Sequence, residues 1–344
     1  MRTTIGLIFM SMMFQLIACS EEGGRKDSTI RFFRRGKVAL ENKEYVNAIR
    51  YFDQAIQEDS TFGAAWNNRG VSLFGINEYQ KAISDYTQAI EIDTAFWDAY
   101  FNRANAYFEI GNYEKAIVDL NKVIPNKKDS AVVYTNRGTI LQAMGKYDDA
   151  IKDFEKVMEL EPNNAIALVN KGAALFNLKK IKEAQQLFEE ALQIDPEQHF
   201  AFNNLGLVFA ENNDHEKALA YYNKALDLNP AAPYYLNNRG FTFIQLEQYN
   251  NAFKDLEKSL LYNGSNPLAL RNMGIYYLKT NDAKKAINFL KKALEVDNEV
   301  KEGFYYLGNA QIDNNEKEEA CASWNLGKQK SSQNSIKQLE KYCN

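Results

Sequence analysis

The sequence predicts an all-α protein built as a solenoid of short helix hairpins. Three observations carry that prediction. A small residue recurs every 34 positions: Gly36, Gly70, Ala104, Gly138, Gly172, Gly206, Gly240, Gly274 and Gly308. Twelve residues after each stands an alanine, from Ala48 and Ala82 through to Ala320, and sixteen after each a large apolar residue: Phe52, Tyr86, Leu120, Phe154, Phe188, Tyr222, Leu256, Leu290 and Trp324. The composition is that of helix, with only 6 prolines in 344 residues and abundant Ala, Leu, Lys and Glu. A period of this length means a stacked array, not the two or three independent domains that the length alone would suggest.

Residues 1–18 begin with Arg2 and run through Ile5-Gly6-Leu7-Ile8-Phe9-Met10 to Leu16-Ile17-Ala18. A positive start and a short apolar run describe a secretory signal, too short for a membrane span of about 20 residues. Leu16-Ile17-Ala18-Cys19 resembles the bacterial lipobox. The resemblance implies cleavage before Cys19, a diacylglycerol on its thiol, and a lipid-anchored protein at the outer membrane, periplasmic or surface-exposed. The alternative is a free cysteine after an ordinary signal peptide. Residues 19–28 form the tether. Its Glu21-Glu22 resembles the surface-export signal of Bacteroidetes lipoproteins, although a solvated linker also reads this way. By analogy with the enterobacterial sorting rule, the lack of Asp after Cys19 argues against inner-membrane retention.

Nine units tile residues 29–334 without insertion or deletion: 29–62, 63–96, 97–130, 131–164, 165–198, 199–232, 233–266, 267–300 and 301–334. Within each, apolar residues recur at helical spacing on two segments, broken by polar turns such as Gly111-Asn112 and Asn212-Asn213-Asp214. That predicts two antiparallel amphipathic helices. The small residues at positions 8 and 20 sit where the helices approach closely, and a larger side chain there would overpack by about 1–3 kcal/mol. One hairpin cannot bury its own apolar face, so neighbours stack. Residues 335–344 carry a short Lys- and Glu-bearing helical pattern that suits a polar cap.

The pattern resembles the tetratricopeptide repeat: a large apolar residue at position 4 (Phe32, Trp66, Tyr100, Tyr134, Leu168, Phe202, Leu236, Leu270, Phe304), small residues at 8 and 20, and apolar residues at 24. The family's proline at position 32 is present only as Pro162, Pro196 and Pro230, so the other units are expected to differ in loop geometry. The resemblance covers about nine tenths of the chain. It implies a right-handed superhelix of helix-turn-helix units that binds proteins or peptides in a concave groove.

Two ladders run through the units. Position 6 is Asn in seven consecutive units: Asn68, Asn102, Asn136, Asn170, Asn204, Asn238 and Asn272. Asn is a mediocre helix former, so something else selects it there. The run resembles the asparagine ladder of the O-linked N-acetylglucosamine transferase superhelix, which implies contacts to a peptide backbone. Bonds between neighbouring helices are the alternative. The family geometry also implies an apolar lining from Ile166, Phe176, Phe200, Leu207, Tyr234, Phe241, Ile244 and Ile275. Position 7 is Arg, and position 23 Asp, in the same units: Arg69 with Asp85, Arg103 with Asp119, Arg137 with Asp153 and Arg239 with Asp255. In a hairpin turning near position 15 these lie side by side, which reads as structural ion pairs. Arg35 breaks the rule against Tyr51.

The net charge of −4, or −5 without the Arg2 segment, and the lack of a long basic block exclude nucleic acid as a partner. Cys19, Cys321 and Cys343 form no Cys-x-x-Cys pair, and His199 and His215 have no ligand cluster, so no metal site is expected. With Cys19 lipidated, an oxidising compartment would favour a disulfide between Cys321 and Cys343, two separate thiols being the alternative. No nucleophile elbow, phosphate loop or paired-carboxylate motif is present, so neither catalysis, a cofactor nor a small-molecule substrate is expected. The family's receptor for C-terminal carboxylates combines Lys at positions 2 and 5 with Asn at 6 and 9. Here positions 2 and 5 carry residues such as Phe200, Tyr234, Asn67 and Asn203, and no Lys. The expected function is an outer-membrane-anchored scaffold for extended peptides or partner proteins. An accessory ligand- or glycan-sensing lipoprotein of a nutrient-uptake system is the alternative.

Overall fold

A computed structural model describes residues 24–343. Residues 1–18, Cys19 and Glu21-Glu22 lie outside the described residues. Among those described there are nineteen α-helices, one 3-10 turn and no strand. Unit one is α1 (Asp27–Glu41) and α2 (Tyr45–Glu58), unit two α3 (Gly63–Gly75) and α4 (Tyr79–Ile92), unit three α5 (Trp97–Glu109) and α6 (Tyr113–Val123). Units four to six are α7 (Ala131–Ala143) with α8 (Tyr147–Leu160), α9 (Ala165–Asn177) with α10 (Ile181–Ile194), and α11 (His199–Glu211) with α12 (His215–Leu228). Units seven to nine are α13 (Pro233–Gln245) with α14 (Tyr249–Tyr262), α15 (Pro267–Lys279) with α16 (Ala283–Val296), and α17 (Gly303–Asp313) with α18 (Lys317–Gln329). The cap is α19 (Gln333–Tyr342). α1 starts inside the expected 19–28 tether, and α19 starts before residue 335. No described helix is long and apolar enough to cross a membrane.

The described chain forms two compact bodies, one ending at Ala174 and one beginning at Leu175. In the N-terminal body α1 packs on α2, α3 on α4, α5 on α6 and α7 on α8; hairpins join through α2 on α3, α4 on α5 and α6 on α7. The C-terminal body repeats this scheme from α10 on α11 to α18 on α19. What sets the spacing within a hairpin is position 8. A Cβ on Gly138 would stand 2.7 Å from the Phe154 ring, and one on Gly274 would stand 2.5 Å from Leu290. The missing side chain lets the position-24 residue lie flat on the opposing backbone, and Phe52, Phe154, Leu256 and Trp324 are all fully buried there.

Every hairpin turns in the same way. Position 15 takes a left-handed backbone in all nine units: Lys43, Asn77, Gly111, Gly145, Lys179, Asn213, Glu247, Asn281 and Asn315. The next residue's N–H then reaches back to the carbonyl five residues earlier, as in Glu44 to Ala39 (2.8 Å) and Asp282 to Tyr277 (2.9 Å), so orphan carbonyls at the end of the first helix are satisfied. Side-chain caps start several second helices: Asn112, Asp214 and Asp282 accept from the backbone N–H three residues on.

The loops after units one, two and seven, which lack the position-32 proline, follow the same turn as those after units four to six, so that expectation fails there; the geometry departs in units three and nine. In unit three Pro125 ends α6 early, and Ile124–Asn126 becomes a 3-10 turn, because proline offers no N–H to continue the helix. In unit nine α17 starts late, after Glu302 adopts φ 59°. At the C-terminus α19 docks on α18. Its Tyr342 ring stacks 5.6 Å from Trp324, and a disulfide joins Cys321 to Cys343 with the Cα atoms 5.9 Å apart.

Candidate functional site

The asparagine ladder is first of all a seam between helices. Asn102 Nδ2 donates to Asn67 Oδ1 at 3.0 Å, Asn238 to Asn203 at 3.0 Å and Asn272 to Asn237 at 2.8 Å. Each bond joins position 6 to position 5 of the unit before. Asn136 uses position 9 instead, donating to Asn105 at 2.9 Å. Asn68 turns back on its own helix to the Ala64 carbonyl. Asn204 accepts weakly from Asn203 at 3.3 Å. Asn170, with 0% exposure, has no partner for either amide atom among the described residues. These are the bonds between neighbouring helices that the sequence leaves as the alternative: a buried amide bonding to a buried amide specifies the register of two first helices. The signal that was missed is the second asparagine, at position 5, in units two, six and seven.

Exposure therefore divides the ladder. Asn102, Asn136, Asn170, Asn204 and Asn272 are buried, while Asn68 and Asn238 are half-buried. The expected apolar lining divides too. Ile244 and Ile275 are 2% and 3% exposed and belong to the core between α13, α14 and α15, so they are not groove residues. Phe200 packs beside His199 and Tyr235 on the Leu226–Leu236 cluster, on which Tyr234 also packs, and does not line the pocket that holds Tyr234 and Phe241. Its neighbour His199 shares a 2.8 Å hydrogen bond with the Tyr235 hydroxyl, and burial pushes the imidazole pKa down against the opposing charge of Asp195.

Of the remaining candidates Ile166 belongs to the N-terminal body, and Phe176, Leu207, Tyr234 and Phe241 meet in the C-terminal one. A pocket of about 550 Å³ is lined by Tyr234, Asn238, Phe241 and Asn272, with Phe176, Leu207, Leu268 and Val300 adding apolar wall. At its edge lies a residue that the sequence reading passed over, Arg271, at position 5 of unit eight. Its Nε and Nη2 donate to Asn272 Oδ1 at 3.1 and 2.7 Å, and Nη1 donates to the Lys301 carbonyl at 3.0 Å. Burial lowers its pKa, with Tyr306 and Glu302 opposing. The pocket thus combines aromatic faces, amides already oriented by the seam, and a fixed guanidinium. It can hold an extended segment with apolar side chains. Asn238 lines it half-buried, its Nδ2 donating to Asn203 and its Oδ1 accepting from Asn237.

The second ladder holds the hairpins together. All four expected ion pairs form, each bidentate: Arg69 to Asp85 at 2.7 and 2.7 Å, Arg103 to Asp119 at 2.8 and 2.8 Å, Arg137 to Asp153 at 2.8 and 2.6 Å, and Arg239 to Asp255 at 2.6 and 2.9 Å. The free Nη1 of each reaches position 25 of the preceding unit: Asp53 (2.6 Å), Thr87 (3.0 Å), Asn121 (2.8 Å) and Asn223 (2.8 Å). Lys171, whose own position 23 is Leu187, pairs backwards, with Glu155 at 2.9 Å. Position 25 escaped the sequence reading because its partner lies in the next unit. Burial raises the Asp85 and Asp153 pKa values against the pull of their arginines, as expected for carboxylates placed for structure.

Models of the tetratricopeptide repeat match residues 63–94, 97–126, 129–197, 163–231, 233–266 and 270–300, together well over half of the chain. Among the curated proteins none matches its sequence. Solved structures with similar folds include the APC/C hetero-tetramer Cut9–Hcn1, 14% identical with a TM-score of 0.64 over 94% of this chain and 79% of that one. MamA is 23% identical over 50% of this chain and 93% of its own, with a TM-score of 0.46. YrrB, described as a TPR protein with an unusual peptide-binding site, is 27% identical over 54% and 95%, with a TM-score of 0.44.

Proposed function

The chain belongs to the tetratricopeptide repeat family, and on that premise we propose that it is an outer-membrane-anchored scaffold that holds an extended polypeptide or partner protein, for assembly or adaptor roles at the cell envelope. The observation that carries the binding half is the 550 Å³ pocket in which Tyr234, Asn238, Phe241 and Asn272 converge. Ordering each residue of a flexible peptide costs about 1–2 kcal/mol, more than one amide bond returns. Affinity therefore rests on apolar side chains of the partner against Tyr234, Phe241 and Leu207, each fully buried side chain contributing about 1.5–3 kcal/mol. The envelope half rests on Leu16-Ile17-Ala18-Cys19, in the sequence alone.

Both halves are open to experiment. Crosslinking pull-downs from intact cells, read by mass spectrometry, should lose their main partners when Tyr234 and Phe241 are changed together to alanine while the helical circular dichroism is retained. Undiminished capture by that variant would move the binding site elsewhere. Replacing Cys19 by Ala should shift the protein out of the detergent phase, and unchanged partitioning would remove the lipid anchor from the reading.

A further inference from the structure

α1 differs from the other first helices in its charge. From Arg25 to Lys37 six cationic side chains stand against one carboxylate, in a chain of net charge −4. Arg31, Arg34, Arg35 and Val38 follow the i, i+3, i+4, i+7 spacing of a single helix face, and all four are exposed. With Tyr51 and the carboxylates Asp27 and Glu44 they line an open bowl of about 960 Å³.

Arg35 explains why this face is open. In units two, three, four and seven the position-7 arginine is clamped between an aspartate of its own unit and an acceptor at position 25 of the unit before. Arg35 has Tyr51 where that aspartate would be, and among the described residues no unit packs on its other side. It makes no ion pair among the described residues. An exposed array end needs polar residues, but mixed signs satisfy that need, as Lys337, Glu340 and Lys341 do on α19. Arg31, Arg34 and Arg35 outnumber Asp27 and Glu44 on this bowl, so the face carries a net positive field that an anionic surface would meet.

We propose that this face docks on a bilayer containing anionic phospholipid, with the Arg31, Arg34 and Arg35 guanidiniums meeting headgroup phosphates. Guanidinium suits phosphate because it donates two parallel hydrogen bonds to two of its oxygens. The location of the bilayer rests on the reading of Cys19 as the lipidated residue. The eight steps from Cys19 to Asp27 span at most about 28 Å, so an acyl anchor holds α1 near the headgroups. The lipid then tethers the chain, and the arginines orient its first unit against the membrane.

The test uses the chain from residue 19 with Cys19→Ser, which carries no lipid, so its outcome is independent of whether Cys19 is acylated. Sedimentation with vesicles of phosphatidylcholine alone, or mixed equally with phosphatidylglycerol, measures binding at low salt. The protein should bind the mixed vesicles and not the neutral ones, and release as salt rises. Arg31→Glu, Arg34→Glu and Arg35→Glu together should weaken binding by at least about a hundredfold, at roughly fivefold per arginine. A charge-matched control, Lys182→Glu, Lys254→Glu and Lys291→Glu, lies on exposed positions elsewhere and should retain binding. Failure of the parent to prefer phosphatidylglycerol, or equal loss in the control, overturns the proposal. Either result leaves detergent partitioning of the Cys19 protein and partner capture at the C-terminal pocket as they were.

Discussion

Position 15 holds a single residue of each unit in a left-handed backbone. Its left-handed backbone is met by Gly111 and Gly145 at no steric cost, and by four asparagines that tolerate it. Lys43, Lys179 and Glu247 occupy the same conformation with φ of 60°, 64° and 58° and neither advantage. Glu247 is exposed. Glu247→Gly is therefore expected to raise stability by about 0.5–1 kcal/mol, the left-handed penalty less glycine's greater chain entropy. Urea unfolding would read it, and an unchanged or lower midpoint would show that the turn is not strained. The need for this conformation could be read at the Gly and Asn units, but not at Glu247, where only the backbone reveals it.

Between elements, the Arg–Asp ladder makes each hairpin depend on the one before it. Arg103 has one carboxylate, Asp119, and a neutral second partner in Thr87. Arg69 has two carboxylates, Asp85 and Asp53. Removing Asp119 leaves a largely buried guanidinium without a counter-charge, which costs about 3–5 kcal/mol. Asp119→Ala should thus destabilise clearly more than Asp85→Ala, where Asp53 remains. Equal losses in thermal melts would mean that position 25 contributes nothing. A second link acts at the last element. Cys321 and Cys343 close a loop with a sequence separation of 22 residues around α18 and α19, worth about 3 kcal/mol in the chain-entropy account. Reduction, or Cys343→Ser, should bring rapid amide exchange to α19 first; protection that survives would assign the docking to Trp324 and Tyr342 alone. The Arg–Asp pairs were legible because both partners share a unit and covary along the chain. Asp53, Thr87, Asn121 and Asn223 were not, because each serves an arginine sixteen residues on, across the loop to the next unit.

For the molecule as a whole, the pH response near neutrality should trace to His199. Burial lowers its pKa in the fold below the ordinary value near 6.5. The unfolded chain then binds more protons than the native state as pH falls through that window, so stability is greatest above 6.5 and declines below it. The melting temperature should fall between pH 6.5 and 5 in the parent, and His199→Gln should flatten that slope; an equal slope in both would acquit the imidazole. Asp85 and Asp153, whose pKa values are raised, act in the opposite sense at lower pH: their contribution is full below the unfolded value near 3.9 and is lost as pH rises through the folded one. They do not drive acid unfolding.

Helix content, the 34-residue period, the close approach at position 8 and the four in-unit ion pairs are all legible in the chain alone, because each depends on residues within one turn or one hairpin of each other. The partners of the asparagines, the burial of Ile244 and Ile275, the absence of Phe200 from the pocket lined by Tyr234 and Phe241, and the gathering of Arg271 into it are not. They depend on how one first helix rotates against the next. A small rotation exchanges a groove position for a core position without altering the period, and packing across unit boundaries is what sets it.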